Sequence, residues 1–286
     1  MPELPEVQTI VNDLNAAGLV GQSIVAARVF WARTIAQPSA KAFRQQIRNR
    51  TIAAIQRRGK FIVFDFSDNG HLLMHLRMSG RLHLVTAEQK RQKHEHVLLN
   101  LAGGQQLRFH DTRKFGRLYL IADTDPILGR LGPEPLLKGF TCQQLAQRLK
   151  ARKRLLKPLL LDQTFIAGLG NIYVDEALWE SRIHPCRMAA SLSETEIRVL
   201  HRAIRRVLKR GLRNLGTSLG TGKTNFYSVA KHQGRNRDQL KVFRRTGQPC
   251  PRCGKAVERI IVSQRSTHIC PRCQNSKDRS QKTENG

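Results

Sequence analysis

The chain has 286 residues, enough for two domains that each have a hydrophobic core. Its 50 Lys and Arg residues outnumber its 21 Asp and Glu residues, which gives a formal charge of +29 and points to a polyanionic partner such as nucleic acid. An uninterrupted apolar run of about 18 residues, which a membrane-spanning helix needs, is missing, and no amphipathic anchor favours a peripheral membrane protein.

The first seven residues, MPELPEV, carry two acids and two prolines, whereas a secretory signal would carry basic residues and an apolar run. A small second residue permits removal of Met1, which would leave Pro2 as a secondary amine at the terminus. An α-amino group with a pKa near ~8 is partly neutral at physiological pH and can attack an electrophilic carbon. Glu3 is placed to move protons. The same residues also fit a plain helix start, with Pro5 at its first position.

A helix and then a series of short strands are predicted for the first half of the chain. Apolar residues recur at helical spacing between Val7 and Leu14, and Gly18 ends that pattern. From Ser23 the period changes to two, and the Asp-Asn-Gly sequence at 68–70 is typical of a hairpin turn. Several short strands with few helices between residues 20 and 125 predict a β-sandwich. The predicted strands comprise residues 24–30, 61–66, 71–76, 82–85, 97–101, 106–109 and 115–121.

Three positions in this half are candidate functional sites. Lys60 follows Arg-Arg-Gly at the head of a strand, where a solvated strand end is the simpler interpretation. Met78 lies where a strand gives way to a turn, although methionine is more often a core residue. Phe115 lies between basic residues and a glycine in HDTRKFG, residues 110–116. The residues around Met78 and Phe115 predict two exposed loop tips.

Pro and Gly are dense between Asp125 and Pro135, and this density indicates a domain boundary. Beyond it the apolar period is helical, and capping-box patterns begin helices at Thr141 and Ser193. The second of these helices has an apolar face and a basic face. The basic face is either solvated or directed at phosphates. It consists of Arg198, Arg202, Arg205, Arg206, Lys209 and Arg210.

Two glycine-rich segments do not fit nucleotide-binding loops. The sequence Gly168-Leu169-Gly170 has no clear strand before it and lacks the third glycine of a dinucleotide-binding turn. Residues 216–224 end in Gly-Lys-Thr, but Thr217 occupies the place that a P-loop gives to glycine. We therefore expect no nucleotide cofactor.

Four of the six cysteines form two close pairs, Cys250-x2-Cys253 and Cys270-x2-Cys273. This spacing is typical of a closed four-cysteine site that holds one structural Zn2+ ion, and a redox dithiol is the less favoured alternative. Residues 257–269 between the pairs predict a β-hairpin.

Cys142 and Cys186 have no close partner in the sequence, and we expect them to be ordinary buried thiols. Because the chain starts without a secretory signal, this cysteine usage indicates a reduced intracellular protein. The sequence from Gln274 onward is polar and predicts a disordered tail.

These motifs, in this order, resemble the bacterial formamidopyrimidine-DNA glycosylase family, whose members remove oxidised purines from DNA and then nick its backbone. The resemblance is carried by PELPEV at the start, by the loops HLRMSG and HDTRKFG, by GLGNIY and by the cysteine pairs. The related endonuclease VIII group typically has glycine where this chain has Leu4. The resemblance implies an α+β fold of two domains, an N-terminal β-sandwich with flanking helices and a C-terminal helix–two-turns–helix domain with a zinc-ribbon β-hairpin.

The resemblance also implies boundaries and partners. The expected parts are a catalytic β-sandwich domain at 1–130, a helical DNA-binding domain at 131–235, a four-cysteine zinc finger at 236–274 and a disordered tail at 275–286. The expected partner is double-stranded DNA that contains oxidised bases or abasic sites. We expect a monomeric, bacterial, cytoplasmic and nucleoid-associated protein that does not bind membranes.

By the same resemblance the chain is a bifunctional DNA glycosylase and abasic-site lyase. Pro2 is expected to attack the sugar C1′ while Glu3 helps to protonate the opening sugar. Departure of the base leaves an iminium, whose acidified neighbouring proton permits β- and δ-elimination. Lys60 is expected in the catalytic pocket, in contact with the DNA backbone beside the damaged nucleotide.

Six further residues are expected to bind DNA. Met78 and Phe115 match the wedges that fill the space left by an extruded base, and such wedges offset the lost stacking. Arg113 matches the residue that pairs with the orphaned opposite base. The other three expected contacts are Lys157 near the lesion pocket and Asn171 and Arg265 at phosphates.

Two alternatives stay open. Residues 219–227, which match the loop that covers the extruded base, depart from the commoner sequence of the oxoguanine enzymes. The chain could therefore be an endonuclease VIII-like glycosylase that removes oxidised pyrimidines. A non-catalytic zinc-dependent DNA-binding protein would also account for the charge and the cysteines, but it leaves Pro2 and Glu3 without a role.

Overall fold

The computed structural model describes residues 2–220 and 226–275, which divide into two compact units. Unit 1 consists of Met1–Arg130 and Gly211–Arg237, and unit 2 consists of Leu131–Arg210 and Asp238–Gly286. Part of the predicted cover loop, residues 221–225, and the predicted tail from residue 276 lie outside the described residues. Within the described part of the chain, no helix is both long and apolar enough to cross a bilayer.

The described part of unit 1 contains helix α1, nine strands and a short helix α2. Most of its strands are joined by tight turns, as the alternating pattern and the Asp-Asn-Gly sequence predict. The elements are α1 (Leu4–Ala16), β1 (Ser23–Val29), β2 (Ile35–Gln37), α2 (Ala40–Gln46), β3 (Arg50–Arg58), β4 (Phe61–Phe66), β5 (His71–His75), β6 (Gly80–Thr86), β7 (Glu95–Leu101), β8 (Gln105–Asp111) and β9 (Arg117–Ile121).

The strands follow the order β2-β9-β5-β4-β3-β1-β7-β8-β6, and every neighbouring pair is antiparallel except β2 and β9. Strand β1 pairs with β3 only at Ser23 and Ile24, and it then pairs with β7 up to Val29. Strand β1 therefore belongs to two sheets, one that contains β3 and one that contains β7, and it passes from the first to the second near Ile24. Apolar side chains from both sheets belong to one buried cluster. This arrangement confirms the predicted β-sandwich.

Helix α1 covers this cluster with the stripe that the sequence predicts. Its apolar side chains from Val7 to Leu14 are all nearly inaccessible, and the helix packs against β3 and β4. The side chain of Arg57 adds a polar tie, since its Nε donates to Gln8 Oε1 at 3.0 Å and its Nη1 donates to Gly59 O at 2.9 Å. The start of the chain is thus anchored to the β3–β4 turn.

The described part of unit 2 contains three helices, most of a fourth and a two-stranded hairpin. The predicted capping box at Ser193 is in place, since Ser193 N donates to Glu196 Oε2 at 2.8 Å and Glu196 N donates to Ser193 Oγ at 3.2 Å. At Thr141 only half of the predicted box forms, because Gln144 N donates to Thr141 Oγ1 at 3.1 Å but Gln144 Oε1 has no hydrogen-bond partner in the described part of the chain. The elements are α3 (Cys142–Lys150), α4 (Leu156–Leu161), α5 (Asn171–Ser181), α6 (Glu194–Arg213), β10 (Glu258–Val262) and β11 (Arg265–Ile269). Together with the sandwich, they confirm the expected α+β architecture.

The basic face of α6 is only partly solvated. Arg205 donates to the carbonyl oxygens of residues 135–137, and Arg206 forms an ion pair with Glu180 at 2.6 Å. Arg198, Arg202 and Lys209 are exposed. Part of the predicted basic surface therefore stabilises the fold, and the rest faces solvent.

Two buried polar side chains fasten the segments on either side of the hairpin to α5 and to the residues that follow α5. The carboxylate of Glu176 accepts hydrogen bonds from the backbone N–H groups of Lys241, Val242 and Phe243 at 2.9–3.0 Å. Burial raises the pKa of Glu176, and these donors oppose the rise. Gln274 accepts from Cys270 N at 3.0 Å and donates to Ile183 O at 3.0 Å. The expectation that disorder starts at Gln274 is wrong, because this side chain is buried and hydrogen-bonded.

Candidate functional site

The N-terminal residues are held by a buried carboxylate. Pro2 is partly exposed just before α1, whereas Glu3 and Glu6 are 2% and 1% exposed. Glu6 accepts from Glu3 N at 2.8 Å and from Thr217 N at 2.7 Å, both within unit 1. A Cβ on Gly216 would lie 2.8 Å from Glu6 Cγ, so a glycine is needed beside the carboxylate. Glu6 therefore fixes the position from which Pro2 extends.

Lys60 lies in the two-residue turn between β3 and β4. Its side chain is 5% exposed, so the interpretation as a solvated strand end is wrong. The turn needs a left-handed residue, which Gly59 supplies with φ +57°. Because Arg57 ties Gly59 to α1, this turn has a fixed position relative to the helix that carries Pro2 and Glu3. A buried ammonium in a fixed turn can bind an anion that enters from solvent.

His75 belongs to the same region, and the sequence analysis did not select it. It is 7% exposed and stands opposite Phe61 in the β4–β5 ladder, with ring centroids 4.7 Å apart. Burial, followed by the charges of Arg77 and Lys60, lowers the pKa of His75 from 6.5 to about 3. The imidazole is therefore neutral beside the Lys60 ammonium. The Asp-Asn-Gly turn determines which residues of β4 and β5 face each other. The position of His75 opposite Phe61, and so next to Lys60, could therefore have been predicted from the sequence.

The two loops with Met78 and Phe115 reach solvent, as predicted. Each of these two side chains is 46% exposed. The Arg113 guanidinium lies over the Phe115 ring at 4.8 Å, and the Lys114 ammonium lies over Trp31 at 3.8 Å. These two loops thus present one apolar side chain each, and the Phe115 ring lies against the Arg113 guanidinium.

The side chain of Lys157 is fully buried and connects three elements of unit 2. Its Nζ lies 2.5 Å from Asp175 Oδ1, 2.8 Å from Thr267 Oγ1 and 3.1 Å from Ser266 O. Asp175 Oδ2 also accepts from His268 N at 2.9 Å. This network connects α4, α5 and β11. Its geometry supports a structural role for Lys157 at the hairpin.

Asn171 and Arg265 are connected through the same hairpin. Asn171 is the first residue of α5, and its Nδ2 donates to Ser266 O at 2.8 Å. Its Oδ1 is buried, and no hydrogen-bond partner for it occurs in the described part of the chain. Arg265 is exposed just after the left-handed turn residues Ser263 and Gln264, which have φ values of +46° and +62°. A helix N-terminus and an exposed guanidinium both suit phosphate oxygens.

The four paired cysteines form one cluster. Their Sγ atoms lie within 4.8 Å of one another, with 3.4 Å between Cys253 and Cys270 and 3.9 Å between Cys250 and Cys273. A tetrahedral ion with Zn–S bonds of about 2.3 Å needs sulfur atoms about 3.8 Å apart, so the cluster fits Zn2+.

The pKa shifts of the clustered thiols differ in direction, since burial raises the pKa of Cys270 and raises the pKa of Cys273 to about 12. Burial acts to raise the pKa of Cys250, but N–H donors, including the backbone of Arg252 and the indole of Trp179, lower it to about 6. A thiolate is the form that binds metal. The two remaining cysteines differ from the expectation of buried thiols. Cys142 is half-buried, and Cys186 is exposed in the turn that follows His184.

Three family models match consecutive parts of the chain. They are the formamidopyrimidine-DNA glycosylase N-terminal domain over residues 1–118, the H2TH domain of the same enzymes over residues 131–222, and a zinc finger found in FPG and IleRS over residues 247–275. A formamidopyrimidine-DNA glycosylase of Protochlamydia amoebophila is 49% identical over 264 residues, which cover 92% of this chain and 96% of that protein. The chain belongs to the formamidopyrimidine-DNA glycosylase family.

Other relatives agree with this membership. A formamidopyrimidine-DNA glycosylase of Herpetosiphon aurantiacus is 44% identical and covers 92% of this chain and 96% of its own. A Lactococcus lactis family member in complex with abasic-site DNA has a TM-score of 0.87 and 36% identity, over 96% of this chain and 99% of that one. A mutant of the same Lactococcus protein with Fapy-dG DNA has a TM-score of 0.88 at 36% identity, over 96% and 100% of the two chains. The zinc-finger match and the cysteine cluster together assign one structural zinc ion.

We predict that Glu6→Ala lowers the free energy of unfolding by about 2–3 kcal/mol, because two buried N–H groups lose a charged acceptor. Urea unfolding would measure the change. Glu88→Ala, which removes an exposed carboxylate from the β6–β7 loop, is the matched control and should leave stability nearly unchanged. Equal effects of the two substitutions would contradict the anchoring role of Glu6.

Elemental analysis should find one zinc ion per chain. Cys270→Ser should lose it, and the amides of β10 and β11 should then exchange their hydrogens faster, because the hairpin loses its metal. Cys186→Ser, a change to an exposed cysteine, should keep the full zinc content. Retention of zinc by the Cys270 variant would exclude the four-cysteine site.

Lys157→Met should destabilise unit 2 by about 3–5 kcal/mol, because the Asp175 carboxylate would keep its buried charge without the ammonium. Lys153→Met removes a neighbouring exposed lysine and should change little. Thermal unfolding followed by circular dichroism would compare the two variants. A small effect at Lys157 would show that its ion pair adds nothing to the fold.

Proposed function

We propose that the chain is a bifunctional DNA glycosylase and abasic-site lyase that removes oxidised purines, including formamidopyrimidines and 8-oxoguanine, from double-stranded DNA. Relatives that bear the name formamidopyrimidine-DNA glycosylase support this proposal. So do the Lactococcus lactis complexes with Fapy-dG and abasic-site DNA, and the formal charge of +29. The observation that carries the proposal is the Pro-Glu start, which a buried carboxylate holds in place.

The proposed reaction begins after removal of Met1. The neutral nitrogen of Pro2 attacks C1′, the bond from C1′ to the base breaks, and the base leaves with a proton. Glu3 protonates the ring oxygen as the sugar opens, which leaves an iminium between Pro2 and C1′. Its positive charge acidifies the proton on C2′. That proton passes to water as the 3′ phosphate leaves, and loss of the C4′ proton to water expels the 5′ phosphate. Water then hydrolyses the iminium, which releases Pro2 and the sugar fragment.

Lys60 and His75 suit the phosphate beside the reacting sugar. Lys60 supplies a positive charge in a buried turn, and His75 adds a neutral imidazole that does not repel it. In unit 2, the N-terminus of α5 at Asn171 and the exposed Arg265 offer two further phosphate contacts. Lys157 acts indirectly in this proposal, because it supports the hairpin from which Arg265 extends.

Base removal requires the damaged nucleotide to leave the stack. Met78 and Phe115 are the large exposed apolar residues of the two loops and are suited to take the place of the extruded base. Arg113 has a planar guanidinium that can hydrogen-bond to the opposite base. Extrusion costs a few kcal/mol, and contacts of this kind offset it.

Borohydride reduction tests the proposal. On a duplex with one 8-oxoguanine, the processed protein should form a reduced covalent adduct, and peptide mapping should locate it on Pro2 and not on the Lys60 amine. A matched protein that retains Met1 should be slower by about a thousandfold or more, because its terminal proline nitrogen is part of an amide.

Two results would refute this function. One is full activity of the protein that retains Met1, and the other is an adduct that maps to a lysine. A parallel set of duplexes, each with a single oxidised purine or pyrimidine, would establish which bases are removed.

A further inference from the structure

The two exposed loops of unit 1 meet at one buried carboxylate. Asp111 is the last residue of β8, and its side chain has no exposed surface. The loop with Phe115 follows it directly in the chain, and the loop with Met78 precedes β6, the strand that pairs with β8. Asp111 therefore lies at the base of both loops.

The carboxylate of Asp111 binds both loops through hydrogen bonds. Its Oδ2 accepts from Gly116 N at 2.7 Å, and its Oδ1 accepts from Arg113 N at 3.1 Å. The Ser79 hydroxyl donates to the same Oδ1. Ser79 Oγ also accepts from Arg113 N at 3.2 Å, so one hydroxyl connects the two loops. Phe115 thus lies between Arg113 and Gly116, which both bind the Asp111 carboxylate. Met78 lies directly before Ser79, which binds it as well.

The surroundings of Asp111 keep its carboxylate in place. Its backbone N donates to His94 O at 2.9 Å, and its backbone O lies 2.8 Å from His96 Nε2. A Cβ on Gly116 would overlap the buried Phe109 ring, so the residue that binds Oδ2 must be glycine. The loop that carries Met78 is closed by its own backbone, since Gly80 N donates to Leu76 O at 3.0 Å.

We propose that Asp111 and Ser79 are positioning residues that hold Met78 and Phe115 at a fixed separation, so that both enter the DNA duplex as one rigid wedge. This inference deepens the proposed function and depends on it. A loop that must be ordered when it inserts loses conformational entropy at that moment, whereas a loop ordered in advance does not. The hydrogen bonds to the Asp111 carboxylate are charge-assisted and therefore stronger than bonds between neutral groups, and the one from Gly116 N is buried.

The test compares two reactions of the same protein. Excision of 8-oxoguanine from a duplex needs the wedge, whereas elimination at an abasic site in single-stranded DNA needs no opposite strand to be held open. Ser79→Ala should lower kcat/KM for excision roughly tenfold, which corresponds to about 1.4 kcal/mol, and should change the single-stranded reaction much less. Ser79→Thr keeps the hydroxyl and should recover most of the loss.

Asp111→Asn should have a larger effect in the same direction, because an amide has only one oxygen for three donors. The Asp111 side chain is fully buried, so the Asn variant could unfold. In that case the comparison of Ser79→Ala with Ser79→Thr decides the test. Equal losses in both reactions, or no loss in either, would overturn the positioning role.

A binding readout separates this inference from the proposed function. The duplex would carry a tetrahydrofuran abasic analogue opposite 2-aminopurine, which gains fluorescence when it is unstacked. Wild-type protein should raise the fluorescence, and Ser79→Ala should raise it less at saturating protein. If the wild type cleaves nothing but shows this difference, the catalytic proposal fails and the positioning role stands. If the wild type cleaves and both proteins give the same signal, the positioning role fails.

Discussion

The hydrogen bonds to the Glu6 carboxylate are the constraint on which the proposed chemistry depends. A terminal amine is a usable nucleophile only if its position is fixed, because freedom of a few ångströms would remove the benefit of orientation. Chain ends are normally the least ordered part of a domain. Here the start of α1 is held because Glu6 is buried and accepts hydrogen bonds from the backbone N–H groups of Glu3 and Thr217. Helix α1 then connects this point to the core of the sandwich.

The same device recurs elsewhere in the molecule. The carboxylates of Asp111 and Glu176 each accept hydrogen bonds from several backbone N–H groups. The carboxylate of Asp175 accepts one from a backbone N–H group and also pairs with Lys157. A buried carboxylate is stable only when it is well hydrogen-bonded, and backbone N–H groups are the donors that a loop always has available. The protein thus uses part of a small supply of acids inside the fold. The surface that remains for a polyanion is correspondingly poor in negative side chains.

Local patterns in the sequence were sufficient for the architecture. The helical stripe of α1, the period-two strands and the capping boxes each depend on residues a few positions apart, and so do the cysteine pairs. The exposure of Met78 and Phe115 was also predictable, because basic residues and glycine surround them. The burial of Lys60 was not, since it depends on how the β3–β4 turn packs against a helix some fifty residues earlier.

The supporting side chains were hidden for the same reason. Glu6 contacts Thr217, and Lys157 contacts Thr267, so their partners are more than a hundred residues away in the sequence. No periodicity or spacing rule connects such positions.

The link between Glu6 and Thr217 has a consequence for synthesis of the chain. The segment that holds the N-terminus in place is made only after about three quarters of the 286 residues. A growing polypeptide can form α1 early. The hydrogen bond from Thr217 to Glu6, however, cannot form until that late segment leaves the ribosome. In the proposed function, an incomplete chain on the ribosome therefore carries a terminal amine that is not yet held for attack. The proposed nucleophile would gain its fixed position only in the last quarter of translation.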